Sequence, residues 1–175
     1  QRSEGSPVGI VIGINPLNDA LEFVSKGEPG YGSVPPLKEG SELTIGGALG
    51  YTGSNGSGDA TAPGASVPHL VYQDSDNTDE QRQYRITVAP RYGTITVGGR
   101  VLGVGSVFTQ AELDADLVKY KHGGGEQFDD LFKYVVSDGD YAANESGAVA
   151  QGSAITPSEY RIRIERSNDK PTIST

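Results

Sequence analysis

The chain has 175 residues, enough for one β-sandwich with flanking segments, and its 25 glycines and 10 prolines disfavour long helices. It holds no cysteine, so disulfide staples, thiolate metal sites and cysteine nucleophiles are excluded. Its net charge of −9 disfavours phosphate backbones and anionic membranes as partners, and offers carboxylates for hard cations.

No stretch is long and apolar enough to span a bilayer. Gln1 to Pro7 is polar. Val8–Ile14 is strand-like, too short for a signal peptide core and without a basic flank, so the chain is expected to be an internal piece of something longer. Asn15-Pro16-Leu17-Asn18-Asp19 follows. Near the other end, Tyr160–Glu165 alternates cleanly and leads into Ser167-Asn168-Asp169-Lys170-Pro171. The same phrase therefore occurs twice: alternating strand, Asn-Asp, extended restart. This reads as a repeat boundary seen at both ends, although the distance from Asn18 to Asn168 is long for one repeat and requires insertions. The expected division is 1–17 as the end strand of a preceding repeat or linker, 18–167 as one repeat, and 168–175 as the linker to the next.

Leu21–Ser25 is the expected first strand. Glu28–Pro36 is a Gly/Pro turn region, and Leu43, Ile45 and Leu49 are candidate core positions after it. Gly50–Ser66 is rich in Gly, Ser, Ala and Thr, cannot bury a core, and is expected to be a long loop. His69–Tyr72 returns to strand and Gln73–Thr78 is an acidic turn.

From Tyr84 to Asp140 the pattern is densest. Tyr84, Ile86 and Val88 alternate with polar residues, as do Ile95 and Val97, Val118 and Tyr120, and Phe132, Tyr134 and Val136. Period two is the mark of strands with one wet face. Gly98-Gly99 between two short runs signals a tight hairpin, because primed turns need positive φ. Thr109 and Glu112 have capping-box spacing, so a helical turn is expected at Gln110–Leu113. Asp129-Asp130 reads as solvated loop. Asp140–Pro157 is a second long insertion before the closing strand Tyr160–Arg166.

Strand, Pro-x-x-Gly, hairpin, "FTQAELDAD" turn, "LVKYKH" strand, polar loop and "FKYVVSDGD" strand: this order resembles the chondroitin-sulphate-proteoglycan-type repeat, one of the cadherin-like β-sandwiches. It is most similar to copies strung along very large bacterial surface adhesins, and the resemblance covers roughly Asp74 to Asp140. It implies an all-β, Greek-key, cadherin-like (Ig-like) sandwich, here with two long loop insertions. It also implies calcium held by Asn18, Asp19, Asp74, Asp76 and Asp138 at one end of the domain. A second half-site would comprise Glu39, Asn168 and Asp169 at the other end, completed by the next repeat. Alternate residues of an extended Asp74-Ser75-Asp76 turn can aim two carboxylates at one ion, and calcium takes 6–8 oxygens from such loops. Ordinary turn chemistry also places Asn and Asp here, since they bond their own backbone. The family's linker often carries an acid where this chain has Pro16.

Catalysis has little support. The two histidines are His69 and His122, and the family commonly carries a histidine at the latter position, so a structural hydrogen bond is expected of it. No nucleophile elbow accompanies the serines, and Gly123-Gly124-Gly125 lacks the Lys-Ser/Thr of a phosphate cradle. Asn55-Gly56-Ser57 and Asn144-Glu145-Ser146 match the glycosylation triplet. The expected function is an extracellular, cell-surface, non-enzymatic one. The chain would be a calcium-stabilised repeat of a large adhesin, extending and spacing it in cell adhesion or biofilm formation. Its partners would be neighbouring repeats, with a host or matrix protein or carbohydrate in addition. Nucleic acid and direct membrane insertion are not expected. The alternative is a ligand-binding module, for carbohydrate or protein, built on the two insertions.

Overall fold

The computed structural model describes residues 18–47 and 67–167. The readings of Val8–Ile14, Leu49, Gly50–Ser66, Asn168 and Asp169 therefore lie outside the described residues. The described residues form thirteen strands and one helical turn: β1 (Glu22–Gly27), β2 (Leu37–Lys38), β3 (Glu42–Thr44), β4 (His69–Gln73), β5 (Gln83–Val88), β6 (Gly93–Val97), β7 (Arg100–Leu102), β8 (Val107–Thr109), α1 (Gln110–Asp114), β9 (Val118–His122), β10 (Asp129–Ser137), β11 (Tyr141–Asn144), β12 (Gly147–Ala150) and β13 (Ser158–Glu165).

One sheet is built on β10, which pairs with β5 on one side and with β13 and then β11 on the other. β8, β2 and β12 extend it. The facing layer runs β3-β9-β6-β7, and a parallel bridge from Gly46 to His69 joins it to the β1–β4 pair. Neighbours such as β5 and β10, or β3 and β9, are distant in sequence, which is the crossover connectivity of a Greek key. The result is the all-β sandwich expected from the alternation.

The core is one contiguous cluster drawn from both layers. Leu43, Ile45, Ile95, Tyr120 and Val118 face Tyr84, Ile86, Phe132, Tyr134, Val136, Tyr160 and Ile162, all buried. Five of its fully buried side chains are tyrosines. Tyr72 meets Tyr84 and Tyr134 edge-on, with ring centroids 5.9 and 6.3 Å apart, and Tyr84 stacks on Phe108 at 5.0 Å. Tyr160 donates to the Gly27 carbonyl at 2.6 Å and Tyr84 donates to Gln110, whereas the buried Tyr134 hydroxyl has no hydrogen-bond partner. Burial pushes the Tyr84, Tyr120, Tyr134 and Tyr160 phenols upward, away from ionisation.

Local signals fall where the residues predict them. Gly98 and Gly99 sit at φ 55° and 86° between β6 and β7. Thr109 caps α1 through a complete capping box with Glu112. Two readings are corrected. Val88 is 42% exposed rather than on the core face. A bulge opposite Lys133 and Tyr134 inserts Thr87 as an extra residue in β5 and turns Val88 outward. Asp129-Asp130 is not a solvated loop but the start of β10, and Asp130 is buried. The Asp140–Pro157 insertion carries a hairpin of its own, β11–β12.

Candidate functional site

Strand register assembles the predicted residues at one end of the sandwich. β1 and β4 are antiparallel with Glu22 opposite Gln73, so Asn18 and Asp19, which precede β1, lie beside Asp74–Asn77, which follow β4. β10 ends with Ser137 opposite Gln83, which brings Asp138 to the same end. Three loops distant in sequence therefore meet.

Their contacts are specific. The Asn18 side-chain amide donates to Asp138 Oδ2 at 3.3 Å and accepts from the Asn77 amide at 3.1 Å. The Asp19 backbone N–H donates to Asp76 Oδ2 at 2.7 Å, and the Ser75 hydroxyl donates to Asp19 Oδ2 at 2.6 Å. Asp74 and Asp138 repeat one device. Asp74 Oδ1 accepts from the N–H groups of Asp76 and Asn77 at 2.8 and 3.1 Å. Asp138 Oδ1 accepts from those of Asp140 and Tyr141 at 2.8 and 2.6 Å. Each is an Asx-type turn that commits one carboxylate oxygen to its own loop. The other oxygen is treated differently: Asp138 Oδ2 meets Asn18, whereas Asp74 Oδ2 is buried without a hydrogen-bond partner. A buried carboxylate oxygen with no donor is costly.

Asn77 and Arg82 complete the cluster and were not singled out in the sequence. The buried Arg82 guanidinium donates to the Asn77 carbonyl at 2.8 Å and pairs with Asp79, supplying positive charge under an acidic surface. Its signal was weak: an arginine next to alternating strand residues normally points to solvent. Among the described residues no three His, Asp or Glu side chains converge closely enough to hold a metal ion. In this geometry the carboxylates are bridged by Asn18, Ser75 and backbone donors. The donor set is nevertheless the right chemistry for a hard cation. It consists of carboxylates and amide oxygens on loops, with one buried oxygen left over.

At the opposite end Glu39 follows β2, which runs parallel to β13, and its carboxylate accepts from the Ser167 N–H at 3.0 Å. Asn168 and Asp169, its expected companions, lie outside the described residues. Both histidines are held by hydrogen bonds. His122 is buried, and its Nδ1 accepts from the N–H groups of Gly40 and Gly124 at 3.1 and 3.2 Å. His69 Nδ1 donates to the Val67 carbonyl at 2.8 Å, leaving Nε2 to accept from Ser25 Oγ at 3.0 Å.

The structure is an all-β sandwich with acidic and amide-bearing loops gathered at the end where the chain enters. The chain belongs to the cadherin-like family, whose sequence model matches residues 65–152. FRAS1-related extracellular matrix protein 2 of Homo sapiens is 33% identical over 70 residues, 40% of this chain and 2% of that protein. Extracellular matrix protein 3 of Lytechinus variegatus is 28% identical over 96 residues, 55% of this chain and 3% of that protein. Extracellular matrix organizing protein FRAS1 of Homo sapiens is 31% identical over 96 residues, 52% of this chain and 2% of that protein. The chain thus spans only a few per cent of the length of these relatives. No solved structure matches it significantly.

Proposed function

We propose that residues 18–167 form one calcium-stiffened repeat of a long extracellular adhesion protein, non-enzymatic, that extends and spaces the parent chain. The observation that carries this reading is the meeting of three loops at the entry end with Asp74 Oδ2 buried and unpartnered. Cadherin-like domains generally bind calcium. Asn18, Asp19, Asp74, Asp76 and Asp138 would hold the ion, with Asn77 as an added oxygen donor. Its charge would offset the repulsion among the carboxylates and give the Asp74 oxygen a partner. Glu39, Asn168 and Asp169 would serve the next boundary in the same way. Residues 1–17 and 168–175 are then the connections to neighbouring repeats, which are the first partners. The chondroitin-sulphate-proteoglycan type, the bacterial adhesin setting and a part in cell adhesion or biofilm rest on sequence resemblance. The compared relatives are animal matrix proteins.

Small-angle scattering on this repeat joined to its successor tests the spacer role. Calcium should give one extended, narrow distance distribution and chelator a broader, more compact one. Indistinguishable profiles would remove the stiffening role.

A further inference from the structure

A groove of about 550 Å³ crosses the outer face of the β5–β10 sheet and shares only Asp138 with the cation reading. Outer faces of sandwiches are ordinarily open. Here the β11–β12 insertion gives the face a wall. The Gln151 N–H donates to the Asp140 carbonyl at 2.6 Å and its side-chain amide donates to the Gly139 carbonyl, which pins the turn after β12 against the end of β10. Gln83 and Arg85 of β5, Ser137 of β10, Tyr141 of β11 and Gln151 line the space.

We infer that this groove binds a neutral saccharide. The volume is that of a small-ligand site. The free side-chain amide of Gln83 can donate and accept together, which suits vicinal hydroxyls, and Tyr141 is the one aromatic ring among the described lining residues, able to cover the C–H face of a sugar ring. The Gln83 and Arg85 side chains are exposed and make no hydrogen bond or ion pair among the described residues other than those of the backbone ladder, so their donors are free for a ligand. Thr87, on the same face, has a buried hydroxyl with no partner.

Charge narrows the class. One arginine set against Asp138, in a chain of net charge −9, does not attract a polyanionic glycan. A protein partner would call for several large aromatic and arginine anchors, whereas the described lining holds one of each, Tyr141 and Arg85. Hydrolysis is not implied. It needs a pair of carboxyl groups free to act, and Asp138 has both oxygens engaged, by Asp140, Tyr141 and Asn18.

The inference develops the ligand-binding alternative and does not depend on calcium, so its failure leaves the cation reading to be judged by melting curves. The labelled full chain is applied to an array of neutral, sialylated and sulfated oligosaccharides, and the best neutral ligand is titrated into isotope-labelled protein. The expected result is binding to neutral glycans, with amide shifts confined to Gln83–Thr87, Ser137–Tyr141 and Gln151–Gly152. Gln83→Ala and Tyr141→Ala should each weaken it by about tenfold or more at unchanged melting temperature. No binding, binding only to sialylated or sulfated glycans, shifts elsewhere, or equal affinity in both variants would each overturn it.

Discussion

Asp130 offers the sharpest test of the packing argument. The residue is 7% exposed and its carboxylate accepts four hydrogen bonds. Oδ1 takes the N–H groups of Arg91 and Leu131, each at 2.9 Å. Oδ2 takes the Tyr92 N–H at 2.9 Å and the Tyr120 hydroxyl at 2.8 Å. One side chain thus ties the β5–β6 connection, β9 and β10 together. Asp130→Asn keeps the Oδ1 bonds but sets an NH2 group against the Tyr92 N–H. The Tyr120 hydroxyl can rotate to accept; the backbone N–H cannot. Losing the charge-assisted bond from Tyr92, at about 1.5–3 kcal/mol, and stranding its N–H, at about 1–3 kcal/mol, predicts a loss of about 2.5–6 kcal/mol. At this chain length that lowers the melting temperature by roughly 5–24 °C. Urea unfolding should show a lower midpoint at unchanged slope. Tyr120→Phe, which removes one bond and keeps the ring, should cost about 1.5–3 kcal/mol. The double variant should lose less than the two single losses together, because they share a bond. A change below about 1 kcal/mol for Asp130→Asn would refute the reasoning, since it would fall within the range of an ordinary surface substitution.

Two further predictions follow from the same geometry. A Cβ on Gly93 overlaps the Tyr120 ring, so Gly93→Ala should destabilise by about 1–3 kcal/mol, measured by the same urea curves, and a neutral result would show that the ring can give way. Hydrogen bonds from Lys133, at 2.7 Å, and then from Arg161 hold the Glu159 carboxyl below the usual carboxylate range. A lowered folded-state value means that its stabilisation is present above the ordinary carboxylate range and is lost as the pH falls through the folded value. Glu159→Gln should therefore cost about 0.2–1 kcal/mol at neutral pH, and the difference from wild type should vanish in acid; a difference that grows in acid would contradict this.

The strands with large alternating residues were legible because the pattern and the burial have the same cause. Tyr84 and Ile86, Val118 and Tyr120, and Phe132, Tyr134 and Val136 are large and apolar or aromatic because one face of each strand lies in the core. The hairpin and the cap were legible because their chemistry is local. Asp130 was not, since the groups that satisfy it come from the preceding strand and from a loop 38 and 39 residues away. Val88 misled because a bulge, invisible in composition, reverses the facing of a strand end. The β11–β12 hairpin was hidden because Tyr141–Asn144 and Gly147–Ala150 are mostly small residues with no large apolar alternation. At the entry-end cluster proposed to take a cation, the resemblance selected residues that strand register does bring together. Asn77 and Arg82, which hold the loop from below, carried no motif.

The central claim is that the entry-end loops take calcium, and melting curves in calcium, magnesium and chelator test it most directly. A ligand that binds only the folded state stabilises it by about 2.7 kcal/mol at 100-fold excess over Kd, which at this chain length raises the melting temperature by roughly 5–11 °C. Magnesium should act weakly, because it demands tighter octahedral geometry and gives up water reluctantly. Asp74→Asn together with Asp76→Asn should remove most of the calcium shift while the protein still folds, since both residues sit in the turn after β4 rather than in the core. The account predicts a wild-type curve moved upward by calcium and a double variant that barely responds. Superimposable wild-type curves in calcium and in chelator would contradict it.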